Sequence, residues 1–100
     1  MLNIIEANKN TIVAFCRKYK VHTLAIFGSA LTDRFNEKSD IDFIVDFADV
    51  KIEDYAENYL NLQESLQKLL GREIDLLEDK AIQNSILRQN ITNTKQVIYG

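Results

Sequence analysis

Three aspartates, two serines and a Gly-Ser step are the residues of this 100-residue chain whose types and spacing could do chemistry. Asp40 and Asp42 stand one residue apart in Ser39-Asp40-Ile41-Asp42-Phe43. In an extended strand, side chains i and i+2 leave the same face, so two carboxylates emerge side by side while Ile41 and Phe43 point the other way. Like charges at that spacing repel, and a hard divalent cation with oxygen ligands is the usual way to stabilise them. Asp75, in Glu73-Ile74-Asp75-Leu76-Leu77, is another acid in an apolar strand, and its isoleucine and leucine neighbours favour burial. A buried carboxylate needs a partner. If that strand lies beside the one carrying Asp40 and Asp42, the three acids complete a magnesium site. The plainer alternative is that an Asp-x-Asp pair where a strand begins is a solvated edge or a turn.

Gly28-Ser29 comes shortly before the acidic pair, at the end of an apolar run. Glycine permits close backbone approach to a ligand, and free N–H groups with a serine hydroxyl can hold phosphate oxygens. Ser39 can orient Asp40 by a hydrogen bond or simply shape the loop. His22, the one histidine, has no spaced ligand partner and reads as a surface or turn residue before the first strand. Asp46 shares the parity of Asp40 and Asp42, yet lies roughly 13 to 20 Å further along at strand rise, too far to ligate the same ion.

The elements that must position these groups follow from periodicity. Leu2, Ile5, Ile12, Cys16 and Tyr19 predict an amphipathic helix over residues 2–19, and Thr23 to Phe27 a short strand stopped by Gly28. Ile41 to Phe47 is a second, largely buried strand. Tyr55, Tyr59, Leu62, Leu66 and Leu69 predict a helix ending at Gly71. Residues 73–77 form a third strand, residues 79–91 a third helix carrying Ile82, Ile86 and Leu87, and Gln96 to Tyr99 a short closing strand. This alternation predicts a small α/β (α+β) domain, a mixed sheet flanked by helices, occupying all of residues 1–100.

Composition narrows the function classes. Hydrophobic residues make up 46% and charged residues 27%, as in a soluble globular protein. No stretch approaches the roughly 20 apolar residues of a membrane span, and the N-terminus lacks the features of a signal peptide, so a cytoplasmic protein is expected. A net charge of -3 argues against direct nucleic-acid binding, which relies on clustered cations. Cys16 has no second thiol for a disulfide or a zinc site.

The segment from Phe27-Gly28-Ser29 to Ser39-Asp40-Ile41-Asp42-Phe43 resembles the signature of the DNA polymerase β-like nucleotidyltransferase superfamily, at the spacing of its minimal nucleotidyltransferase (MNT) branch. The resemblance runs from the leading helix through Gly71-Arg72-Glu73-Ile74-Asp75-Leu76 to Val97-Ile98-Tyr99-Gly100. Many members continue Gly-Ser-x with Ala-Arg-Gly, where this chain has Leu31-Thr32-Asp33. Arg34 is the candidate to replace the missing arginine at the phosphates, a surface arginine being the alternative.

The resemblance implies the nucleotidyltransferase fold and transfer of a nucleoside monophosphate, with ATP the expected donor. Asp40, Asp42 and Asp75 would hold two magnesium ions, with Asp75 also helping to activate the attacking hydroxyl. Gly28, Ser29, Ser39 and Arg34 would serve the nucleotide. It also implies a partner, a helical HEPN-domain toxin that the MNT antitoxin adenylylates on a tyrosine. Two rivals stand beside this expectation. One is an antitoxin that neutralises its HEPN partner by binding alone. The other is an antibiotic-type adenylyltransferase, for whose extra helical acceptor domain the chain has no room. An exposed helix face could also support a homo-oligomer.

Overall fold

The computed structural model describes residues 3–28 and 39–100. Helices α1 (Asn3–Ala7) and α2 (Lys9–Lys18) lead into strand β1 (Val21–Phe27). Strand β2 (Ile41–Phe47), helix α3 (Ile52–Leu70), strand β3 (Ile74–Glu78), helix α4 (Ser85–Thr94) and strand β4 (Gln96–Tyr99) follow.

The predicted leading helix is two helices. Asn8 turns its side chain back onto the Ile4 carbonyl at 2.8 Å, and the chain bends there before α2 starts. Asparagine competes with the helical ladder for local backbone groups, which a hydrophobic stripe does not reveal. Ile5, Ile12 and Cys16 still face one way and are fully buried. Between α2 and β1, Lys20 adopts a left-handed backbone (φ 57°), and its carbonyl accepts the Ala48 N–H at 2.8 Å. Strand β1 accordingly starts at Val21, earlier than expected, and exposed His22 lies within it at a register shift opposite Phe47 and Asp46.

The sheet order is β3-β2-β1-β4, with β1 antiparallel to both β2 and β4 and β2 parallel to β3. The parallel pair requires a crossover, which α3 provides. Helix α3 ends as anticipated, at Gly71 in a left-handed conformation (φ 65°) that returns its N–H to the Gln67 carbonyl at 2.9 Å.

Strand alternation divides the sheet into two faces. Ile41, Phe43, Val45 and Phe47 of β2 join Leu24, Ile26, Ile74 and Leu76 beneath α1, α2 and α3, where Leu62 and Leu66 are fully buried. Each such side chain contributes about 1.5–3 kcal/mol relative to exposure. Tyr55 and Tyr59 of α3 are half-buried there and anchor to β3, the first donating to Glu78 Oε2 at 2.6 Å and the second to the Leu76 carbonyl. On the opposite face Ala25, Ile44 and Ile91 form a much smaller cluster with Phe27 and Ile82.

The third predicted helix, residues 79–91, is a 3-10 turn over Asp79–Ala81 followed by α4. Asn84 is the reason. Its Oδ1 accepts the N–H groups of Ile86 and Leu87 at 2.9 and 3.0 Å, a side-chain cap that starts α4 where helical periodicity alone would have run on. Arg88 ties the two pieces together, donating to Asp79 Oδ1 at 2.9 Å and to the Ile82 carbonyl at 3.3 Å. Among the described residues, no helix is long and apolar enough to cross a membrane.

Candidate metal and nucleotide site

Strands β2 and β3 pair with Ile41 opposite Ile74, Asp42 opposite Asp75 and Phe43 opposite Leu76. Paired residues of neighbouring strands share a face, and adjacent strands lie about 4.8 Å apart. Asp42 and Asp75 are therefore direct neighbours on the α4 side of the sheet, while the flanking apolar pairs enter the large core. The adjacency that the three-acid reading required is present. Asp40 lies just before β2 and is exposed.

Asp42 is half-buried, and its carboxyl is held above the usual aspartate range. Burial is the first cause, followed by the negative charges of Asp75 and then Asp40. Asp75 is exposed, contrary to the burial that its apolar neighbours suggested. Alternation is the reason: Ile74 and Leu76 are buried on the other face, so their environment says nothing about the residue between them. As the side chains stand, no group of three acidic, histidine or cysteine residues among those described converges enough to hold an ion. The carboxylates are mutually repelling neighbours rather than a closed cage.

Gly28 meets Asp42 from the adjacent strand. Phe27 pairs with Asp42 across the β1–β2 ladder, and Gly28 follows it with φ +74°. A Cβ at that position would lie 2.5 Å from Asp42 Oδ2. The expected role of this glycine was close approach to a phosphate. Its bare Cα is required first by the neighbouring carboxylate.

The polymerase beta nucleotidyltransferase family matches residues 10–100. The chain belongs to that family. A provisionally named protein adenylyltransferase of Methanocaldococcus jannaschii is 40% identical over 74 residues, spanning 74% of this chain and 73% of that protein. The protein adenylyltransferase MntA of Thermococcus cleftensis is 28% identical over 97 residues, or 97% of this chain and 89% of its own. A solved complex of tri-AMPylated Shewanella oneidensis HEPN toxin with MNT antitoxin shares the fold with a TM-score of 0.66 at 24% identity. That match covers 95% of this chain and 71% of the other.

Ser29 and Arg34 of this nucleotidyltransferase, like the Leu31-Thr32-Asp33 departure, lie outside the described residues. Ser39 lies inside them and is half-buried; its carbonyl accepts a hydrogen bond from Arg72 Nη1 at 3.0 Å. Arg72 stands in Gly71-Arg72-Glu73-Ile74-Asp75-Leu76, where no role was expected for it. An arginine immediately after a helix-terminating glycine, three residues before an acid, is the signal that was available. Asp46 sits further along β2 on the carboxylate face and pairs with exposed Lys80 at 3.6 Å, consistent with its exclusion from the site. Beyond Ile44 on that face a cavity of about 160 Å³ is lined by Thr23, Ala25, Asp79 and Lys95, and by none of the three site aspartates.

Proposed function

We propose that this nucleotidyltransferase moves AMP from ATP to a tyrosine hydroxyl of a HEPN-domain partner and so acts as an antitoxin. The observation that carries this reading is the parallel register that sets Asp42 beside Asp75, with Asp40 preceding Asp42 where the strand begins. Support for the acceptor comes from the relatives named protein adenylyltransferase and from the AMPylated HEPN toxin held by an MNT antitoxin in the related complex.

Asp40, Asp42 and Asp75 are the residues that would hold magnesium. Their donor chemistry fits, since all three offer hard carboxylate oxygens. Their electrostatics fit too, because the carboxyl of Asp42 is raised by burial and by its two acidic neighbours, a penalty that a cation relieves. Closing the cage requires the exposed Asp40 and Asp75 side chains to turn toward Asp42. When bound, such ions stabilise both the incoming and the leaving oxygens of an in-line displacement.

The residues of the chain then have distinct tasks. Gly28 keeps the space that Asp42 Oδ2 occupies, and with Ser29 it offers backbone and hydroxyl donors to the triphosphate. Asp75, which is exposed, would accept the proton of the acceptor hydroxyl. That oxygen forms a bond to the α-phosphorus, the bond to the bridging oxygen breaks, and pyrophosphate departs. Asp40 and Asp75 are exposed, so a bound HEPN partner would bring its tyrosine to an accessible site.

The test is the intact mass of the HEPN protein co-purified with this chain after incubation with magnesium and ATP, against an Asp40→Ala/Asp42→Ala control. Adenylyl mass on the partner, absent with the control, is the expected result. A tight complex without added mass from either version would replace the enzyme with an antitoxin that works by binding.

A further inference from the structure

We propose that Arg72 is a positioning residue for Asp40, acting through the main chain of Ser39; this rests on the metal-binding reading above. Asp40 lies between two tethers. On its N-terminal side, the Ser39 carbonyl accepts the Arg72 Nη1–H at 3.0 Å. On its C-terminal side, the Ile41 N–H donates to the Glu73 carbonyl at 3.3 Å. Both tethers originate in consecutive residues, Arg72 and Glu73, immediately ahead of β3, the strand that carries Asp75.

The consequence is geometric. Asp42 and Asp75 are fixed relative to one another by the β2–β3 ladder, which begins at Ile41 and Ile74. Asp40 precedes that ladder and is exposed, and among the described residues its flanking peptide groups are what place it. Ile41 secures one of these peptides through backbone pairing alone. The other is held by a half-buried arginine side chain whose origin is locked by the left-handed turn at Gly71. Helix end, arginine and third aspartate thus form one rigid piece that sets the first aspartate against the other two. Groups that orient a ligand without touching the ion affect affinity strongly, by about 10- to 100-fold in metal sites generally.

Charge and position predict opposite signs here, which makes the inference testable. Arg72 is a cation close to an acidic site, so if charge alone mattered its removal would tighten cation binding. Positioning predicts weaker binding. The experiment is Mn2+ binding to the full chain by electron paramagnetic resonance, with thermal unfolding of every variant alongside. Arg72→Ala is expected to weaken Mn2+ binding about tenfold, and Arg72→Lys, which keeps a donor on a long stem, to recover part of it. In an Asp40→Ala background, Arg72→Ala is expected to cause no further loss, although it lowers the unfolding temperature as much as in the parent.

Unchanged or tighter binding by Arg72→Ala overturns the inference while leaving the carboxylate site standing. An equal loss in the Asp40→Ala background overturns it as well, since Arg72 would then be acting through the structure at large. Absence of Mn2+ binding by the parent chain overturns both the inference and the metal reading beneath it.

Discussion

Replacing Gly28 by alanine should destabilise the protein and displace the Asp42 carboxylate, and the size of the effect follows from two features of the structure. The backbone at Gly28 has φ +74°, a left-handed conformation that costs an L-residue roughly 1–2 kcal/mol. The new methyl would lie 2.5 Å from Asp42 Oδ2, closer than real contacts allow, so the carboxylate must swing away. A side chain driven about 30° from its rotamer costs about 0.5–1.5 kcal/mol. The total is about 1.5–3.5 kcal/mol, or a fall in unfolding temperature of roughly 6–28 °C for a domain of this size. A double-mutant cycle with Asp42→Ala separates the contributions, because deleting the carboxylate removes the overlap but leaves the backbone strain. Thermal or urea unfolding of the four proteins should give a coupling of about 0.5–1.5 kcal/mol. If Gly28→Ala is as damaging in the Asp42→Ala background as in the parent, the glycine does not serve that carboxylate and the reasoning fails.

Two further predictions concern folding chemistry away from the site. Cys16 is fully buried, and burial pushes its thiol up to about 12 from an ordinary value near 8.5. The unfolded chain therefore ionises first, and stability that is complete below about pH 8.5 should decline by about 2 kcal/mol toward pH 10, where Tyr55 and Tyr59, whose hydroxyls burial also raises, begin to contribute. Urea titrations of Cys16→Ala that retain this decline would refute it. Asn84→Ala removes the cap of α4 and should destabilise by about 1 kcal/mol, measured by denaturant unfolding; Asn84→Ser should restore most of that loss, and a neutral alanine variant would show that α4 does not depend on its cap.

Part of the candidate site's geometry was legible because it depends on short-range rules. The two-residue strand period places Asp40 and Asp42 apart from Ile41 and Phe43, and both apolar residues are indeed fully buried. The apolar stripe of α3 and the glycine that ends it are likewise local, since left-handed backbone is readily adopted only without a Cβ. The breaks at Asn8 and Asn84 are also local, but they are made by single polar side chains that bind backbone groups, and a search for apolar spacing overlooks them.

Other features belonged to the tertiary structure alone. Strand order and register arise from pairings between segments far apart in the chain, so nothing within Ile74-Asp75-Leu76 could say that Asp75 would meet Asp42. Whether Asp75 is covered depends on how far α4 extends over its face, and the small cluster around Ala25, Ile44 and Ile91 leaves it open. The tie between Arg72 and Ser39 spans 33 positions and exists only because α3 returns the chain beside β2. The sequence by itself determined which residues could carry charge to a common face and where helices must stop, because propensity and periodicity act between neighbours. Folding decided which of those charges became adjacent, because adjacency depends on the packing of the entire sheet.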